Sequence, residues 1–146
     1  MIKIIFGLFM ALTISLYFSS AGVAAEKTSM AIKLGDKSYS IEMKDNVTIQ
    51  DILEKLPLSL NMKRYAGHEY YAELPFRPAF AQEQTSHIQA GHLYYWDGWN
   101  AFVINYEESD ITPYKVVHLG HVDDAEGICG YLRGADENID VTVEYK

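Results

Sequence analysis

The chain has 146 residues, 49% of them hydrophobic, 13% aromatic and 22% charged, which is room for one packed domain and excludes wholesale disorder. Twelve basic against 20 acidic residues give a formal charge of −8. That balance speaks against electrostatic capture of nucleic acid and makes a cationic partner easier to hold than an anionic one.

Residues 1–25 read as an export signal. Lys3 precedes an apolar run from Ile4 to Phe18, and small residues follow as far as Ala25. Val23 and Ala25 suit the −3 and −1 pockets of a signal peptidase, with Glu26 opening the mature domain over 26–146. The run of 15 is short against the roughly 20 residues a spanning helix needs. Cleavage and export to the periplasm or medium are expected, with an uncleaved signal anchor as the only route to a membrane. Without the signal the chain has 121 residues, 11 basic and 20 acidic, and a charge of −9. The single cysteine, Cys129, excludes an intrachain disulfide framework and any Cys-x-x-Cys site. In an exported chain it is either buried or paired between chains, and its neighbours Ile128 and Gly130 favour burial.

Met30 to Leu34 and Lys37 to Met43 alternate apolar and polar residues around Gly35-Asp36, the mark of a hairpin. Thr48, with Asp51 three residues on, reads as a capping box opening a helix. Ile49, Ile52, Leu53 and Leu56 form its apolar stripe, and Pro57 ends it. Leu58, Leu60 and Met62 alternate into a strand that carries Arg64 onto its inner face, and His68 to Leu74 returns after Ala66-Gly67. Leu93 to Trp96 and Trp99 to Tyr106 flank Asp97-Gly98, which predicts a hairpin with a type I′ turn. Val116 to Val122 and Ile139 to Tyr145 complete eight strands, with a short helical turn after Asp123-Asp124. A mainly β fold follows: a closed eight-stranded β-barrel plugged by one short helix, plus a minor helical turn. The 16-residue connection from Pro75 to Ala90 is of the length that often carries function.

The order Leu56-Pro57-Leu58-Ser59-Leu60, Tyr65, Gly67, Leu74-Pro75, Gly91, Tyr94-Tyr95, Trp99-Asn100 and Leu119-Gly120 resembles the small bacterial cyclophilin-like domain proteins. The resemblance spans about Met30 to Tyr145 and implies a cyclophilin-type eight-stranded barrel with no settled activity. Cyclophilins themselves isomerise X-Pro bonds with the arginine that ends a Phe-His-Arg tripeptide. Met62-Lys63-Arg64 keeps only that arginine.

Arg64 is either a guanidinium offered in a groove to a carbonyl or carboxylate, or a strand-end residue turned to solvent near Tyr65-Ala66-Gly67. The aromatic hairpin of Tyr94, Tyr95, Trp96 and Trp99 is either a stacking platform or cross-strand packing. Candidates for a ligand groove are Arg64, Tyr65, His68, Tyr70, Tyr94, Trp96 and Trp99. Strand parity sends His118 and His121 to opposite faces, so neither a metal site nor a cofactor is expected. Glu69 and Glu73 share a strand face with Tyr71 and either line a groove or are simply exposed; no carboxylate demands a catalytic role and there is no nucleophile motif, so the residues make no positive case for an enzyme. The reading is a non-catalytic module that binds a peptide or small ligand, with a prolyl isomerase of altered pattern as the alternative.

Overall fold

Alternation sets most of the strands. Met30–Leu34 (β1) and Lys37–Met43 (β2) turn Ile32, Leu34, Tyr39 and Ile41 inward across a link at Gly35, whose φ is 57°. The structure is a computed structural model that describes residues 29–146, so the export signal expected over 1–25 lies outside the described residues. After β2 come α1 (Val47–Leu53), β3 (Leu58–Tyr65), β4 (Glu69–Glu73), β5 (His87–Ile88) and β6 (His92–Trp96). A 3-10 turn (Asp97–Trp99), β7 (Ala101–Asn105), β8 (Ser109–Asp110), β9 (Val117–Val122), α2 (Ala125–Arg133) and β10 (Asn138–Tyr145) follow.

Eight strands close in the order β1-β10-β3-β4-β7-β6-β9-β2, antiparallel at every pairing. These are the eight read from alternation. The two further strands, β5 and β8, pair only with each other. Each is two residues long and carries no periodicity to read. The core fills the barrel with Ile32, Met62, Tyr70, Phe102, Leu119 and Val143, among others. Cys129 is buried in it at 4% exposure. Among the described residues no helix is long and apolar enough to cross a membrane.

The two helices cover opposite ends. α1 leaves the end of β2 and α2 leaves the end of β9, and those strands run antiparallel. Ile49, Ile52 and Leu53 close one mouth, and Ile128 and Leu132 the other. The expected helical turn is thus a full nine-residue helix, capped by Asp124, whose side chain accepts from the Gly127 amide. A Cβ at 127 would push the capping carboxylate of Asp124 out of its place.

α1 is not capped by Thr48. Asn46 takes that role, accepting from the Ile49 amide at 3.0 Å. Thr48 and Asp51 lie inside the helix, free to hold the long connection: Thr48 Oγ1 donates to the Ala79 carbonyl (2.7 Å) and accepts from the Ala81 amide (3.0 Å), and Asp51 accepts from the Ala79 amide (2.6 Å). The aromatic hairpin also closes differently. Asp97–Trp99 winds a 3-10 turn and Asn100, not Gly98, takes the positive φ of 48°. Asn100 repays that conformation by donating to the carbonyls of Leu74 and Phe76 and accepting from the Tyr95 hydroxyl.

Candidate functional site

The outer face of β4, β7 and β6 is built in rows by the register. Glu69 pairs with Asn105, Val103 lies between Tyr71 and Tyr94, and Trp96 pairs with Ala101. Because the inner residues Tyr70, Phe102, Ile104 and Tyr95 fill the barrel, these neighbours must point out. They are nonetheless covered. Ile88, Ile111 and Val116 from the β5–β8 layer pack on Tyr94, Ala101 and Val103 as a second apolar cluster. That layer is tied down by the Thr85–Val116 bridge, by the Ile111 amide on the Ser86 carbonyl (2.9 Å), and by the Gln89 amide on the Tyr94 hydroxyl (3.0 Å).

Between face and layer lies a pocket of about 450 Å³, within the size range of small-molecule sites. Tyr65, Trp96, Trp99 and Tyr114 ring it, with Glu69 and Asn105 among its lining. Trp99 lies 4.5 Å from Trp96 and 5.1 Å from Tyr65, and Tyr114 lies 5.8 Å from Trp96, between ring centroids. The angles of 50–71° in these pairs are tilted or edge-on, so no ring is stacked flat on another. A wider, shallower depression beside Asn61, Glu73 and Arg77 is more polar and more open.

Two polar groups in this lining are unusual. Asn105 is fully buried, and neither its amide nitrogen nor its oxygen has a hydrogen-bond partner among the described residues. Such a group costs about 1–3 kcal/mol unless something satisfies it. Glu69, its cross-strand neighbour, has a side chain only 13% exposed, and burial pushes its carboxyl up to about 7. Its oxygen lies 3.3 Å from His68 Nε2, while His68 Nδ1 sits 3.1 Å from the Ala66 carbonyl. A carbonyl only accepts, so Nδ1 is the donor to Ala66 and Nε2 is the ring nitrogen that faces the carboxyl.

Of the groove candidates, Tyr65, His68, Tyr94, Trp96 and Trp99 all line this pocket. Arg64 and Tyr70 do not. Arg64 keeps the inner side that alternation gave it, but it is half-buried, with Nε 3.6 Å from the exposed Glu137 carboxylate, and is not offered in the pocket. Its guanidinium donates to the Tyr106 hydroxyl (2.9 Å) and to the carbonyls of Leu132 (3.1 Å) and Ala135 (2.6 Å), and lies over the Tyr70 ring. It thereby satisfies the carbonyl end of α2, where a cation is also favoured by the helix dipole. Tyr70 is fully buried and donates to the Asp136 carbonyl (2.7 Å). Asn105 and Tyr114 were not singled out from the sequence. The signal for Asn105 is a polar residue in phase with Val103 inside an otherwise apolar strand.

The histidines also depart from expectation. Between Leu93 and Tyr94 the β6–β9 register slips, so that Leu119 is an extra residue and Gly120, at φ 156°, bends the strand. The bulge reverses parity, and His118 and His121 both stack on His92, at 4.9 and 5.3 Å. Burial, with His118, His121 and Lys44 nearby, lowers His92 to about 4. Beyond this row Glu42, His121 and Asp123 bring ligand atoms within 4.8 Å of one another, and these could hold a metal ion. Two of the three are exposed.

Residues 32–144 match the sequence profile of the cyclophilin-like family, and the chain belongs to that family. No curated protein sequence matches it. Among solved structures it is similar to the hypothetical protein AF2241 from Archaeoglobus fulgidus, with TM-score 0.62 and 18% identity over 80% of this chain and 93% of that one. It is also similar to McbB, determined in complex with tryptophan, with TM-score 0.56 and 12% identity over 79% of this chain and 44% of McbB. At these identities the likeness is one of fold.

Proposed function

We propose that this member of the cyclophilin-like family is an exported, non-catalytic binding module that takes a small ligand in the pocket between the barrel face and the β5–β8 layer. The observation that carries the reading is the fully buried Asn105 amide, unpartnered on both atoms, in the lining of an aromatic-walled pocket. A ligand that offers one donor and one acceptor there removes a desolvation cost that the protein alone leaves standing. The roof favours a small molecule over an extended peptide, since β5 and β8 already cover the face along which a peptide would run.

The other role considered, prolyl isomerase, needs an arginine free to reach a prolyl nitrogen. Here all the named donors of Arg64 serve Tyr106, Leu132 and Ala135 on the far side of the barrel wall. In an X-Pro peptide assay the expected exchange is the uncatalysed one, on the scale of tens of seconds.

Both tryptophans of the chain line the pocket, so intrinsic fluorescence reports its occupancy. The test is a titration with small aromatic compounds, tryptophan among them, against the wild type, Asn105→Leu and Trp99→Ala, read by calorimetry as well as fluorescence. Saturable binding that weakens in both variants is expected. Binding of equal strength in both would place the ligand elsewhere.

A further inference from the structure

We propose that the pocket selects an organic cation, a ligand whose protonated amine pairs with Glu69 while its apolar body lies among Tyr65, Trp96, Trp99 and Tyr114. This rests on the small-ligand reading above and adds the charge of the ligand. Among the described residues, and apart from tyrosine hydroxyls, the only ionisable groups in the lining are His68 and Glu69, with no lysine or arginine. A carboxyl in an apolar recess is a poor anion until a positive charge meets it. The group that faces the carboxyl, His68 Nε2 at 3.3 Å, belongs to an imidazole and not to a permanent cation such as lysine or arginine.

The walls favour the same sign of charge. Aromatic faces carry negative quadrupole potential and attract ammonium and guanidinium groups. Tyr65, Trp99 and Tyr114 are 45, 41 and 60% exposed, so each has area left to bury against a ligand. Asn105, beside Glu69 in the register, has an amide oxygen free to accept from a second N–H of an ammonium. An anionic ligand would meet Glu69 with no fixed cation to offset it, and would gain nothing from the ring faces. The chain's excess of 20 acidic over 12 basic residues adds long-range attraction of the same sense.

Calorimetry at pH 8 with three compounds of one shape separates the possibilities: tryptamine (ammonium), 3-propylindole (neutral) and indole-3-propanoate (anion). Tryptamine is expected to bind about 10-fold or more tighter than 3-propylindole, with the propanoate weakest, as a single charge-assisted contact allows. Glu69→Gln should cut tryptamine affinity by about 10-fold and leave 3-propylindole unchanged. That variant removes a penalised charge and so is expected to fold, which circular dichroism checks. Equal binding of tryptamine and 3-propylindole, unaffected by Glu69→Gln, overturns the cation inference and leaves the small-ligand reading intact. A preference for the propanoate overturns it too. No heat from any of the three removes both together.

Discussion

Replacing Glu69 by glutamine tests the floor of the pocket without any ligand. In the folded protein the carboxyl is raised by burial from 4.5 to about 7, which corresponds to about 3 kcal/mol between its two protonation states. The side chain is only 13% exposed, so solvent screening takes little from that figure. A raised folded-state value means that the folded protein holds the proton more tightly than the unfolded chain. The associated stability is fully present below pH 4.5 and is lost as the pH rises through 7. Glutamine cannot ionise, so the variant lacks this loss. The stability of Glu69→Gln minus that of wild type should therefore climb by about 3 kcal/mol between pH 4 and pH 8. Urea unfolding followed by circular dichroism at pH 4, 6 and 8 measures it, and taking the difference cancels other groups that titrate in the range, His92 among them. A flat difference would mean that Glu69 is solvated. A falling one would mean that a cationic side chain holds it ionised.

Asn105→Leu replaces an unpartnered buried amide with an apolar group of similar size, and should raise stability by about 1 kcal/mol in urea while weakening ligand binding. Arg64→Met leaves the Tyr106 hydroxyl and the Leu132 and Ala135 carbonyls without their donor; a loss of about 3 kcal/mol in thermal or urea unfolding is expected, with pocket affinity unchanged. In Gly120→Ala the new Cβ would collide with the Glu42 carbonyl at a φ of 156°, so a loss above about 2 kcal/mol should follow, read in the same unfolding assay. His92, lowered to about 4, contributes stability that is present above pH 6.5 and lost as pH falls toward 4; in NMR titration its ring should stay neutral at pH 5.5.

Which parts of this molecule could be read from residues alone follows from the range of the forces that set them. The eight barrel strands depend on period-two alternation and near-neighbour pairing, both written locally in runs such as Leu58–Met62 and Ile139–Tyr145. Alternation even placed Arg64 on the correct side of β3. Its destination was hidden because the carbonyls it serves, at 132 and 135, lie some 70 residues on, at and just past the end of a helix that the glycines at 127 and 130 disguised. His118 and His121 were assigned opposite faces by a parity rule that one inserted residue at Leu119 inverts, and nothing in the run Val117–Val122 marks the insertion except Gly120.

The pocket needed more than parity. Alternation can say that Tyr65, Tyr94 and Trp96 point outward, but outward residues on a barrel face water by default, and such side chains make a site only if something roofs them. The roof here is assembled from pieces without periodicity: two strands of two residues, the bridge from Thr85 to Val116, and a connection held by Thr48 and Asp51 across about 30 residues. Trp99 joins the cage because Asn100, rather than Gly98, takes the left-handed turn and moves the indole off the strand register onto Trp96 and Tyr65. A barrel of this kind stays closed by its alternating core whatever its surface does. Its outer face is then free to bury a carboxyl and an amide under a layer of loops, a loss in stability that the proposed ligand would offset.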